Sequence, residues 1–219
     1  VPLSTVLGAQ SLIKPGVCTT ATRPASPYTG QAIYDTTVSQ TLVWNGSAWV
    51  VQSGGLVYIT GASFSAVTTV SMASGVFTST YKTYQVVLQL TSGADAQITV
   101  RVNNAGTPRT AASYYGGSNR VGSNNTNTMT ASNGATALNV AARVSGEAFG
   151  LTMTVFDPTN ASTKTAIHAI GVAGNDSNFP AAINAGGVYY TAEANDGLTF
   201  ITGGASFAGF YRVYGIVES

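Results

Sequence analysis

Residues able to act as acids, bases, nucleophiles or metal ligands are scarce in this chain of 219 residues, with one histidine, one cysteine and eight carboxylates. A hydrolase needs a nucleophile, a base and an orienting group within hydrogen-bond reach. His168 stands in Lys164-Thr165-Ala166-Ile167-His168-Ala169-Ile170, a strand-like run, and reads as a strand residue rather than a base. The carboxylates are Asp35, Asp95, Glu147, Asp157, Asp176, Glu193, Asp196 and Glu218. A glycosidase needs two of them facing each other across a substrate. Only Glu193 and Asp196 are close in sequence, and their stretch Thr191-Ala192-Glu193-Ala194-Asn195-Asp196-Gly197 reads as a turn between strands. Phosphate-binding glycine loops need a strand-to-helix junction, and no segment carries a capped helical period. Asn175-Asp176-Ser177-Asn178 clusters oxygen atoms that calcium could use, but a strong site wants several carboxylates. Cys18 alone excludes an intrachain disulfide and any multi-cysteine metal site, and reads as a small apolar residue. The expectation is a protein that is not an enzyme and takes no metal or cofactor.

The bulk composition supports a folded, poorly charged chain. Hydrophobic residues make up 44% of it, enough for a sizeable core. Charged residues are only 8%, against roughly 25% in an ordinary soluble protein, so Thr, Ser, Asn and Gly must keep the surface wet. Val, Ile, Thr, Tyr and Phe suit a pleated, half-buried surface. The formal charge is +1 and the nine basic residues form no run, so nucleic acid is not an expected partner. No stretch approaches about 18 uninterrupted apolar residues and no basic leader opens the chain, so neither membrane insertion nor a secretion signal is expected. A weakly charged surface favours self-association.

Three regions position these residues. Residues 1–30 hold Pro2, Pro15, Pro24 and Pro27, four of the seven prolines, and read as an extended arm. Its apolar Leu3, Val6, Leu7, Leu12 and Ile13 have nothing of their own to pack on, which points to a neighbouring chain. Residues 31–53 read as a small meander: Ala32–Asp35, a polar turn, then Thr41–Trp44 and Ser47–Val51 around Asn45-Gly46. That dipeptide predicts a type I′ hairpin turn. Such a meander is marginally stable alone, and Trp44 and Trp49 want a partner surface to bury against. Residues 52–55 read as a linker.

From residue 56 to 219, period-two alternation recurs between Gly, Asn and Ser turns. Tyr84, Val86, Leu88 and Leu90 alternate with polar or outward positions, as do Ile98, Val100 and Val102, and Leu151, Met153 and Val155. The predicted fold class is all-β, a sandwich of jelly-roll-like type. Asn103 to Gly134 reads as a long polar loop containing Tyr114, Tyr115, Asn119, Asn124 and Asn125. Tyr rings among Asn, Ser and Gly suit recognition surfaces, sugars included, although a solvated loop or an edge hidden in an oligomer has the same composition.

One pattern is familiar. Cys18-Thr19, Arg23-Pro24, Pro27, Gly30-Gln31, Ile33-Tyr34-Asp35 and Trp44-Asn45-Gly46-Ser47-Ala48-Trp49 resemble a module that recurs in structural proteins of tailed bacteriophages, over about residues 11–51. More loosely, Gly61–Val67, Tyr81–Val87 and Ala208–Gly215 are similar to terminal β-sandwich domains of phage fibres and decoration proteins. The resemblance implies a homotrimer on the virion surface, assembled in the host cytoplasm, with no catalytic role. Leu12, Ile13, Pro15, Tyr34, Trp44 and Trp49 become the expected anchoring or oligomer contacts. Tyr114, Tyr115, Asn119, Asn124 and Asn125 become the expected receptor-facing loop. A tail-fibre type protein that binds a host glycan is the leading expectation. A capsid decoration protein clamping the head is the alternative, and a tailspike-like glycan hydrolase a more distant one.

Overall fold

A computed structural model describes residues 16–51, 55–92, 96–123, 127–143, 149–174 and 180–217. Leu12, Ile13, Pro15, Asn124, Asn125 and the cluster at 175–178 lie outside the described residues. The chain divides into two compact units, Val1–Gly54 and Gly55–Ser219. The fold is all-β, and a single 3-10 turn at Thr20–Thr22 is the one helical element among the described residues.

The first unit is a four-stranded sheet in the order β1 (Gly16–Cys18), β2 (Ala32–Asp35), β3 (Gln40–Trp44), β4 (Trp49–Val51). The meander β2–β3–β4 is antiparallel, as its alternation predicts, while β1 joins β2 in parallel. The described part of the expected arm, residues 16–30, is thus folded into the sheet rather than extended away from it. Its loop is closed by backbone hydrogen bonds from Thr36 to the Cys18 carbonyl, 2.8 Å, and from Gly30 to the Trp44 carbonyl, 2.8 Å. Asp35 is fully buried beneath the loop and accepts from Arg23 Nε at 2.7 Å, Thr20 Oγ1 at 2.9 Å and the Thr37 amide at 2.8 Å. Burial works to raise this carboxyl's pKa, but the hydrogen bonds from Arg23, Thr20 and Thr37 outweigh it and hold the pKa below its usual value.

The expected type I′ turn is replaced by a longer loop. Trp44 pairs with Trp49, which leaves Asn45 to Ala48 as the connection. Asn45 Oδ1 accepts from the Ser47 amide, the Ser47 hydroxyl and the Ala48 amide at 2.9, 3.0 and 2.8 Å. Of these four residues only Gly46 has positive φ, +103°, whereas a type I′ turn needs two. The Asn side chain caps the loop from within, which removes the need for the second left-handed residue.

The second unit is a two-sheet sandwich. Its strands are β5 (Leu56–Val67), β6 (Thr69–Ser71), β7 (Thr83–Ser92), β8 (Ala96–Asn104), β9 (Thr107–Pro108), β10 (Tyr114–Gly122), β11 (Asn127–Ala135), β12 (Leu138–Arg143), β13 (Phe149–Phe156), β14 (Lys164–Gly174), β15 (Pro180–Ala192), β16 (Gly197–Thr202) and β17 (Phe207–Ile216). The large sheet runs β11-β10-β15-β14-β13-β7-β17-β5, and the smaller one β12-β8-β16-β6 with β9 beside β8. Every pairing in the large sheet is antiparallel. Tyr84, Val86, Leu88, Leu90, Ile98, Val100, Val102, Leu151, Met153 and Val155 all point into one core. This is the inward set that the period-two alternation defines.

The expected loop over residues 103–134 is corrected. Its described residues include the end of β8 and all of β9, β10 and β11, and β10 with β11 is a hairpin at one edge of the large sheet. Polar side chains misled the reading because β10 is covered on its inner face and open on the outer. Its polar composition therefore mixes an exposed face with buried Ser118 and Arg120.

Candidate functional site

Along β10 the side chains alternate between core and solvent. Tyr114 is 1% exposed and belongs to the core, which corrects its assignment to a receptor-facing loop. Its hydroxyl accepts from the Val102 amide at 3.1 Å and donates to the Arg109 carbonyl at 2.9 Å, so it ties the large sheet to β8 and to the chain after β9. Burial pushes the Tyr114 hydroxyl pKa well above its ordinary value. Tyr115 points the other way, 42% exposed, and Asn119 lies on the same outer face four residues on.

Register extends this face across two further strands. Tyr115 pairs with Val188, Gly117 with Gly186 and Asn119 with Asn184 on β15. On β14, His168 stands opposite Gly186 and Ile170 opposite Asn184. On β11, Ala131 lies beside Gly117 and Met129 beside Asn119. The two glycines leave a trough with no side chains on its floor, walled by Met129, Ala131, Asn119 and Asn184, with a volume of about 500 Å³. The Gly186 floor is roomy: an added Cβ would come no nearer than 3.5 Å to the Ile167 carbonyl. Its neighbour Gly187 faces inward, where a Cβ would collide with the Leu138 side chain and the Tyr115 carbonyl.

The sheet face that holds the trough differs chemically toward its two ends. At one end, His168 Nε2 lies 2.9 Å from Asn184 Oδ1. Beside them, Asn119 Oδ1 is buried with no hydrogen-bond partner among the described residues. A buried polar atom left unpaired costs the desolvation of that atom, while the exposed Asn184 and His168 side chains offer hydrogen-bonding groups at this end. At the other end, Tyr115 and Tyr190 meet edge to face with centroids 5.3 Å apart. Lys164 Nζ stands 3.0 Å above the centroid of the Tyr190 ring. The hydrogen bond and the charge of Lys164 together hold the Tyr190 hydroxyl pKa below its ordinary value. From Tyr190 to Asn184 the strand spans six residues, roughly 20 Å at the usual rise of a β-strand.

The carboxylates do other work. Glu193 forms a two-pronged pair with Arg109, at 2.7 and 2.9 Å. Asp196 accepts from the Ser74 hydroxyl at 2.6 Å and from the amides of Gly75 and Gly106. Both hold the turns around β16 in place. Among the described residues, no three His, Cys, Asp or Glu side chains are grouped to hold a metal ion.

In the first unit, Tyr34, Trp44 and Trp49 do not form one patch. Trp44 and Trp49 pack edge to face, centroids 5.5 Å apart, both half-buried on the face that holds Leu42. Tyr34 lies on the opposite, open face with Val17 beside it in register, and Val43 and Val50 follow on the same side. Val17, Tyr34 and Val50 are 62%, 37% and 41% exposed.

Sequence reading reached Tyr115 and Asn119 but missed Lys164, His168 in this role, Asn184, Gly186 and Tyr190. The available signal was alternation along 182–190, which places Asn184, Gly186, Val188 and Tyr190 on one side of a strand. The molecule is an all-β sandwich protein with a glycine-floored trough on its exposed sheet. Neither a protein-family model nor a curated protein matches this chain.

Proposed function

We propose that this chain is a non-enzymatic surface protein of a bacteriophage particle, of tail-fibre type, which binds a host glycan through the outer face of its large sheet. The observation that carries the binding role is the trough between the Tyr115–Tyr190 pair and the Asn119–Asn184–His168 cluster. Sugar rings offer flat C–H faces to an aromatic ring and hydroxyls to amide and imidazole groups. Tyr115 supplies the first and the amide end the second, while Gly117 and Gly186 let a ring approach the backbone closely. Tyrosine with adaptable Asn neighbours gives contact area at little conformational cost.

The virion setting rests on the resemblance of residues 11–51 to the phage module. In this reading the first unit attaches the chain to the particle as part of a homotrimer. The open face bearing Val17, Tyr34 and Val50 offers apolar area for that contact. Gold-conjugated antibody raised against residues 56–219 tests the placement. Labelling confined to the tail tip is the expected result. Gold spread over the head transfers the chain to the capsid decoration class, and intact particles without gold overturn the virion reading.

A further inference from the structure

Charge is distributed unevenly over the second unit in a way that net charge conceals. None of the eight strands of the large sheet contains an aspartate or glutamate, yet they carry Lys164, His168 and Arg212 as exposed residues. The trough therefore lies on strands that hold no carboxylate, with His168 next to it and Lys164 farther along the same strand. In low ionic strength such a one-signed surface draws an oppositely charged ligand toward it.

We infer that the trough takes an acidic glycan, one whose sugar carries a carboxylate, and that Lys164 is the residue that recognises the acid group. This inference rests on the glycan-binding reading above and names the class of sugar. Lys164 stands on the Tyr190 ring, an arrangement that holds the ammonium above the sheet rather than leaving it to sweep freely. Beyond its hydrogen bond to the Tyr190 hydroxyl, the ammonium has donors to spare and no carboxylate on the strands around it. An incoming sugar carboxylate would make a charge-assisted hydrogen bond there, about twice as strong as a neutral one. The Tyr115 ring, packed against Tyr190, supplies the apolar face for the same sugar. Farther along the trough, the Asn119, Asn184 and His168 cluster meets hydroxyl or acetamido groups of neighbouring sugars.

The test uses the full chain and an immobilised panel of oligosaccharides bearing uronate or sialate residues. Each is presented beside the same oligosaccharide with its carboxyls reduced to alcohols. Retention of acidic members over their reduced counterparts is expected, weakened as salt is raised. Lys164→Gln should lower the affinity for the retained acidic sugar about tenfold or more, and Lys164→Arg should keep most of it. Thermal melting of both variants checks that the fold is unchanged. Equal binding of native and reduced sugars overturns the acidic class and leaves glycan binding standing, as does a Lys164→Gln variant that binds like the parent. Retention of no sugar at all overturns the glycan reading itself, and this inference with it.

Discussion

Tyr114 and Tyr115 show how much a single position along a strand decides. They are adjacent and chemically identical, yet one bridges the two sheets from within while the other lies open beside Tyr190. Tyr114→Phe leaves the Val102 amide and the Arg109 carbonyl without their partner. It is expected to cost about 1–3 kcal/mol of stability in denaturant unfolding. Tyr115→Ala removes a ring packed on Tyr190 and should cost only about 0.5–1.5 kcal/mol, while sugar binding falls. Gly186 and Gly187 form the same kind of pair. Gly186→Ala meets only ordinary contacts and should fold like the parent while blocking the trough floor, read as weakened binding at unchanged melting temperature. Gly187→Ala drives a methyl into Leu138 and the Tyr115 carbonyl, an overpacking expected to cost about 1–3 kcal/mol or more. The residue types in Tyr-Tyr and Gly-Gly carry no hint of which member faces the core. That depends on how β10 and β15 pair across the core.

At the scale of elements, the loop from Cys18 to Gly30 and the Trp44–Trp49 hairpin explain what the polar residues of the first unit do. Arg23 exists to meet Asp35, and Thr20 and the Thr37 amide complete that carboxylate's shell. The Cys18 carbonyl receives Thr36, so β1 is fastened beside β2 without any disulfide. Because the folded Asp35 pKa lies below its unfolded value, its contribution is complete above an unfolded pKa of about 3.9. It is lost as pH falls through the folded value. The first unit should therefore loosen in acid below about pH 4. Both tryptophans of the chain are Trp44 and Trp49, so intrinsic tryptophan fluorescence reports this unit selectively. Acid titration should shift the emission to longer wavelength. Asp35→Asn should show the loosened emission already at neutral pH, since its amide cannot replace the charged acceptor for Arg23. Sequence showed the meander and its hairpin. It did not show that the loop carrying Thr20 and Arg23 closes on Asp35, because that loop is held by one buried carboxylate rather than by a periodic pattern.

At the scale of the whole molecule, the low charge fraction is carried to its limit in the large sheet. Its edge strands β5 and β11 contain no charged residue and no proline, the devices that usually blunt an edge. Together with the open apolar face of the first unit, this gives the chain surfaces suited to copies of itself. The expected state is a homotrimer, measured by light scattering at micromolar concentration with residues 1–30 intact. A monomer under those conditions overturns that expectation.

Sequence alone determined the fold class, because a period of two in Tyr84–Leu90, Ile98–Val102 and Leu151–Val155 admits only strands with one buried face. It also located the hairpin between Trp44 and Trp49, since Asn-Gly between apolar runs has few other uses. Tertiary structure decided the rest. The described part of Asn103 to Gly134 became largely strands because the outer polar residues of β10 and its inner ones belong to two faces of one sheet, a distinction that composition averages away. The trough exists only where β11, β10, β15 and β14 lie side by side, bringing Met129, Tyr115, Asn119, Asn184, Tyr190, His168 and Lys164 from four separate segments to one face. Strand order and register are set by which pairings close a common core, and no local window of residues contains that information.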